Sequence, residues 1–134
     1  MLWKGSIAAL ELGSTVKYIF LIFIFAFSSL WSSDYHAWKE LYDLPSQREL
    51  ALVLTTAEGN AISMTNTWLI FMEREPVYCV PPNLVLNEEN YANMIIRQYE
   101  RNSARWDNAA RMENRPVDTN LLLIVELTEN FPCS

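Results

Sequence analysis

The sequence predicts a small all-α domain of three to four helices with one disulfide, behind an N-terminal signal peptide. Three observations carry this. Apolar residues recur at helical spacing over residues 50–68 and again over 92–99. Capping residues stand ahead of each helical stretch: Ser46 with Glu49, then Asn87, then Asp118. Two cysteines, Cys79 and Cys133, both follow an apolar leader. A chain of 134 residues suits one domain.

The leader comes first. Residues 18–27 read Tyr-Ile-Phe-Leu-Ile-Phe-Ile-Phe-Ala-Phe, with Lys17 before them and Ser28-Ser29 after. A basic residue, an apolar core and a small-residue zone are the three parts of a secretory signal. Ala26 and Ser28 suit the −3 and −1 positions, so residues 1–28 are expected to be removed before Ser29. The competing reading is a membrane anchor, but a spanning helix needs about 20 apolar residues and this core is half that. The stretch before Lys17 carries Glu11 and only Lys4, a poor n-region. Either the n-region is long, or translation begins near Val16.

Residues 29–134 hold 8 Lys/Arg against 15 Asp/Glu, a net charge of −7. That balance argues against nucleic acid, which needs cations against phosphates, and suits a basic protein partner. An even cysteine count in an exported chain favours a disulfide between Cys79 and Cys133. There is no C-x-x-C redox motif. The bridge would close a loop of about 55 residues, worth roughly 4 kcal/mol by chain entropy.

Residues 29–45 show no regular pattern and are expected to be irregular, with Pro45 near their end. Ser46 and Glu49 form a capping box. Leu50, Leu54, Ala57, Ala61, Met64 and Trp68 then recur at spacings of four and three, predicting a helix over 47–71 whose stripe is core, or core plus a dimer seam. Pro76, Pro81 and Pro82 forbid regular helix in the next segment. Asn87 caps a second helix with Glu88 and Glu89 in its first turn. Ala92, Ile95, Ile96 and Tyr99 form its apolar stripe, and it is expected to end between Asn102 and Trp106. Residues 103–117 either extend that helix or project as a loop. Asp118 caps a last element over 120–130. Leu121 to Val125 is apolar on every side, so periodicity cannot separate helix from strand, and length with leucine content favours helix.

Taken in order, Ala57, Gly59 and Trp68 on a helix, then Tyr78-Cys79-Val80-Pro81, then Ile95-Ile96, Tyr99 and Arg105-Trp106, and a closing Phe131-Pro132-Cys133 resemble the Rap/Tai-type immunity proteins of type VI secretion systems. The likeness covers about residues 46–133. It implies a periplasmic inhibitor that binds a peptidoglycan amidase effector, occludes its active site and often works as a homodimer. The chain departs from the family pattern between Trp106 and Pro116, where it is longer, and lacks a clear second glycine near Gly59. Without the resemblance, the remaining reading is a small exported helical protein of the bacterial envelope with another binding role. An uncleaved leader would instead make it a membrane-anchored subunit.

No catalytic, metal or cofactor constellation emerges from the sequence, so the protein is read as a binding protein and not an enzyme, with no cofactor. His36 is the single histidine and is expected in irregular chain. Glu88 and Glu89 are helix neighbours that do not face each other, so capping is the better role for them. The candidate partner contacts are Arg105, Trp106, Asp107, Arg111 and Glu113, where Trp and Arg supply typical interface anchors. Glu73 and Glu75, flanking Arg74 beside the prolines, form a competing acidic rim.

Overall fold

The computed structural model describes residues 34–134. They form five α-helices: α1 Tyr35–Asp43, α2 Arg48–Phe71, α3 Glu88–Arg101, α4 Ser103–Glu113 and α5 Thr119–Asn130. The all-α class holds. The leader, the cleavage point before Ser29 and the start near Val16 lie outside the described residues.

The first correction is α1, which occupies a stretch expected to be irregular. Asp34 caps it by accepting from the His36 amide at 3.0 Å. Tyr35, Trp38 and Tyr42 then fall on one face and are buried. Trp38 is 1% exposed, which its indole N–H tolerates only with a partner. It donates to the Ala51 carbonyl at 3.1 Å and to Thr55 Oγ1 at 3.0 Å, tying α1 to α2.

The second correction concerns α2. Its N-cap is Gln47, with no side-chain cap bond, so the Ser46–Glu49 box is not formed. The residues it buries are Ala51, Thr55, Glu58, Gly59 and Ile62. The stripe expected in the core lies on another face: Leu50 and Met64 are exposed, and Leu54, Ala57, Ala61 and Trp68 are only half-buried. Periodicity found the helix and chose the wrong side, because the true core side carries Thr55 and Glu58, both satisfied. Thr55 donates to Ala51, and Thr119 of α5 donates to Glu58 Oε1 at 2.6 Å. A buried carboxylate is tolerable on these terms only.

Helix α2 ends in a Schellman motif. The Glu73 amide donates to Ile70 and the Arg74 amide to Leu69, which satisfies carbonyls left over at the helix end. This requires a left-handed residue, and Glu73 takes that position with φ 57°. A left-handed L-residue costs roughly 1–2 kcal/mol that glycine avoids. Glu73→Gly is therefore expected to stabilise the fold by about 0.5–1 kcal/mol after glycine's greater unfolded entropy. Urea unfolding would show a raised midpoint at unchanged slope. A lowered midpoint would mean that the Glu73 side chain holds a stabilising contact.

Residues 72–87 return the chain to α3, whose capping box joins Asn87 and Asn90 by two 2.9 Å bonds. Tyr91, Ala92, Met94, Ile95 and Gln98 are buried there. A Cβ added at Gly59 would lie 2.5 Å from Tyr91 Cε2, so α2 and α3 touch through a missing side chain. Residues 103–113 neither extend α3 nor project as a loop. They form the separate helix α4, which ends on left-handed Asn114 (φ 52°). Asp118 caps α5 through the Asn120 amide, as expected. Leu122, Leu123 and Leu127 on α5 are fully buried. Glu126, 1% exposed, is held by Gln98 at 2.8 Å, Arg97 at 3.3 Å and Arg101.

Two closures complete the domain. The Tyr35 amide donates to the Val117 carbonyl at 2.8 Å, and Asp34 pairs with Asp118 in an isolated antiparallel bridge. Cys79 and Cys133 form the expected disulfide, with Cα atoms 5.1 Å apart. The Cys79 amide also donates to Phe131 at 2.8 Å, so the tail is fixed to the 72–87 loop by a covalent and a hydrogen bond.

Candidate partner-binding surface

Five of the seven candidate contact residues fall on α4, and that helix buries no residue completely. It sits on the domain through one face. Trp106 is half-buried and packs against the core with Ala110, so part of its ring covers the domain's own interior. Its indole N–H has no hydrogen-bond partner among the described residues. The same indole lines a 270 Å³ hollow with Asp34, Glu113, Arg115 and Leu121. Trp106 thus serves as wall to a cleft as well as cover for the core.

Asp107 points the other way. Tyr99 Oη donates to its two oxygens at 3.0 and 2.8 Å, and His36 Nε2 lies 3.3 Å from Oδ1. This cluster joins α1, α3 and α4. Tyr99 stacks on Tyr35, ring centroids 4.1 Å apart, and meets the edge of His36. Burial pushes the Tyr35 phenol up to about 12, helped by the charge of Glu100. Burial and then the bond to Asp107 raise that of Tyr99. Both phenols stay neutral at physiological pH, so Tyr99 is a steady donor to Asp107. His36, expected in irregular chain, is the second residue of α1. Asp107 therefore reads as a residue that positions α4 more than as a partner contact.

Arg105, Arg111 and Glu113 are exposed. Arg111 reaches Asn108 Oδ1 at 3.4 Å, one turn away. Met112, outside the candidate contacts, is 79% exposed between Arg111 and Glu113. An unbranched apolar side chain in that position adapts readily to a partner surface. The hollow also draws on Asp34 and Asp118, brought beside α4 by the bridge between them. No sequence signal could have found these two, since their pairing spans the whole domain.

Glu73 and Glu75 lie in the 72–87 loop and are exposed. Glu73 has a backbone task there, as the left-handed residue closing α2. The same loop borders a 550 Å³ groove against α2, with Asn60, Asn66, Tyr78 and Tyr91 in its walls and Leu84 and Val85 at its lip. Asn66 holds the loop in place: it donates to the Tyr78 carbonyl at 2.9 Å and accepts from the Val77 amide at 2.7 Å. Among the described residues no cluster of His, Cys, Asp and Glu is arranged to hold a metal ion, and no helix is long and apolar enough to cross a membrane.

The chain matches no known protein family, curated protein or solved structure with which it was compared.

Proposed function

We propose that this is an exported immunity protein, which binds a peptidoglycan amidase effector of a type VI secretion system in the periplasm and occludes its active site. The observation that carries the proposal is α4: an eleven-residue helix with no fully buried residue, presenting Arg105, Arg111, Met112 and Glu113 beside a hollow walled by Trp106. An Arg- and Trp-bearing surface next to a cleft is how interface anchors are arranged. Two further facts support it. The disulfide suits an oxidising compartment. The two cysteine-bearing motifs behind the family resemblance, 78–81 and 131–133, meet at that disulfide.

The test is calorimetric titration of a peptidoglycan amidase, taken first from the adjacent gene, with the protein and its variants. Trp106→Ala is expected to weaken binding by about 2 kcal/mol or more. Arg111→Ala and Met112→Ala, on exposed positions, should weaken it while leaving the helical circular dichroism unchanged. Glu75→Ala tests the 72–87 loop as the competing surface. If affinity is unmoved by all four, the contact lies elsewhere on the domain. If no amidase binds, the immunity role falls and another envelope binding role takes its place.

A further inference from the structure

The disulfide lies at the surface. Cys79 and Cys133 are both exposed, and neither belongs to the core. A bridge reached from solvent exchanges with thiols, whereas a buried one resists them. No helix residue takes part: Cys79 sits in the 72–87 loop, and Cys133 follows the end of α5 at Asn130. The backbone on each side is held without the S–S bond. Before Cys79, Tyr78 is buried, and Asn66 binds the Val77 amide and the Tyr78 carbonyl. After it, Val80 packs on the core. On the tail, Phe131 packs on the core, and its carbonyl accepts from the Cys79 amide at 2.8 Å. Cys133 Sγ lies 3.9 Å from the Pro76 carbonyl, so a thiol there has a weak acceptor within reach.

We infer that Cys79 and Cys133 form a reversible redox site of the folded domain, opened by a dithiol and closed again with the five helices in place. The tail sulfur is the point of attack. Cys133 is followed by Ser134 alone, whereas Cys79 has anchored residues on both sides. A thiolate of the dithiol attacks Cys133 Sγ and forms a mixed disulfide. The Cys79–Cys133 bond breaks, and Cys79 leaves as a thiolate that takes a proton from water. The second thiol of the reagent, as its thiolate, then attacks the reagent's own sulfur in the mixed disulfide and releases Cys133, which is protonated in turn. The protein gains two electrons and two protons, and the dithiol becomes a disulfide. Closure by an oxidised dithiol runs the same steps in reverse. The two thiols stay together between these events because the Cys79–Phe131 bond and the flanking contacts persist, which gives them a high effective concentration. Neither α4 nor its hollow takes part, so the redox site stands or falls independently of the amidase reading.

The experiment is reduction of the oxidised protein by dithiothreitol in native buffer, with thiols trapped by alkylation and counted by mass. The rate is expected to rise in proportion to dithiothreitol without levelling off, and to fall within about tenfold of that for oxidised glutathione. Far-UV circular dichroism of the reduced protein should match that of the oxidised protein. Closure is read by equilibrating the protein in glutathione buffers. The effective concentration of the two thiols is expected to be about 100-fold higher, or more, in native buffer than in concentrated urea. A rate that saturates with dithiothreitol, or a bridge that opens only in urea, would mean that unfolding gates the reaction. Loss of the helical signal on reduction would mean that the helices depend on the bond. Equal effective concentrations would mean that the fold does not hold the thiols together. Each of these results would overturn the proposal.

Discussion

Replacing Cys79 and Cys133 together by serine is expected to remove roughly 4 kcal/mol of stability, the chain-entropy value for a loop of about 55 residues. The two ends are 54 residues apart in sequence and enclose α3, α4 and α5. Cutting the bond therefore frees most of the second half of the domain in the unfolded ensemble. For a domain of about 100 residues that is a large share of the total. The folded state should resist in part, because the Cys79 amide keeps its bond to Phe131. The measurement is urea unfolding of the oxidised protein against the double serine variant. A loss under about 1 kcal/mol would mean that the tail is held mainly by packing, and the entropic account of the bridge would fail.

Gly59→Ala is expected to be the most damaging single-atom addition in the fold. Helix propensity alone predicts the opposite, a gain of about 1 kcal/mol. The new Cβ, however, would meet three ring carbons of Tyr91 at 2.5, 2.6 and 2.8 Å. Tyr91 is 8% exposed and belongs to the core, so its ring has nowhere to retreat without moving α3. Overpacking of this kind costs roughly 1–3 kcal/mol, and backbone displacement puts the net loss near 2 kcal/mol. The check is a thermal melt of Gly59→Ala beside the double variant Gly59→Ala/Tyr91→Leu. If the smaller partner does not restore stability relative to Tyr91→Leu alone, the clash is not the cause.

The residues that declared their elements did so through local physics. Asn87 and Asp118 cap the helices they were expected to cap, and the prolines at 76, 81 and 82 confine the chain between α2 and α3 to loop. The disulfide followed from an even cysteine count together with the expectation of export. The misreadings share a different cause. Tyr35, Trp38 and Tyr42 did carry helical spacing, but nine residues beside Pro45 are too few for the pattern to stand out. The core face of α2 was hidden because Thr55 and Glu58, polar by type, are buried by partners on α1 and α5 that only the fold supplies. Apolar residues on the same helix outnumbered them and drew the stripe to the wrong side. At the candidate surface, Trp106 was legible as a residue type. That it both packs inward and walls a hollow depends on Asp34 and Asp118, which lie 84 residues apart.

The bond from Tyr35 to Val117 also bears on how the chain acquires its structure in time. The first described helix is made before the carbonyl that receives its leading amide, which arrives only when the ribosome has passed residue 117. Thr119, whose hydroxyl donates to the buried Glu58, comes later still, and Cys133 after it. The Tyr35–Val117 and Glu58–Thr119 contacts thus join the first two described helices to the segment that leads into α5. Such wiring raises contact order and slows folding relative to a bundle of sequential hairpins. A chain truncated anywhere before α5 would leave Glu58 and the inner face of α3 without their cover. It would present itself to proteases as unfinished rather than persist as a stable fragment.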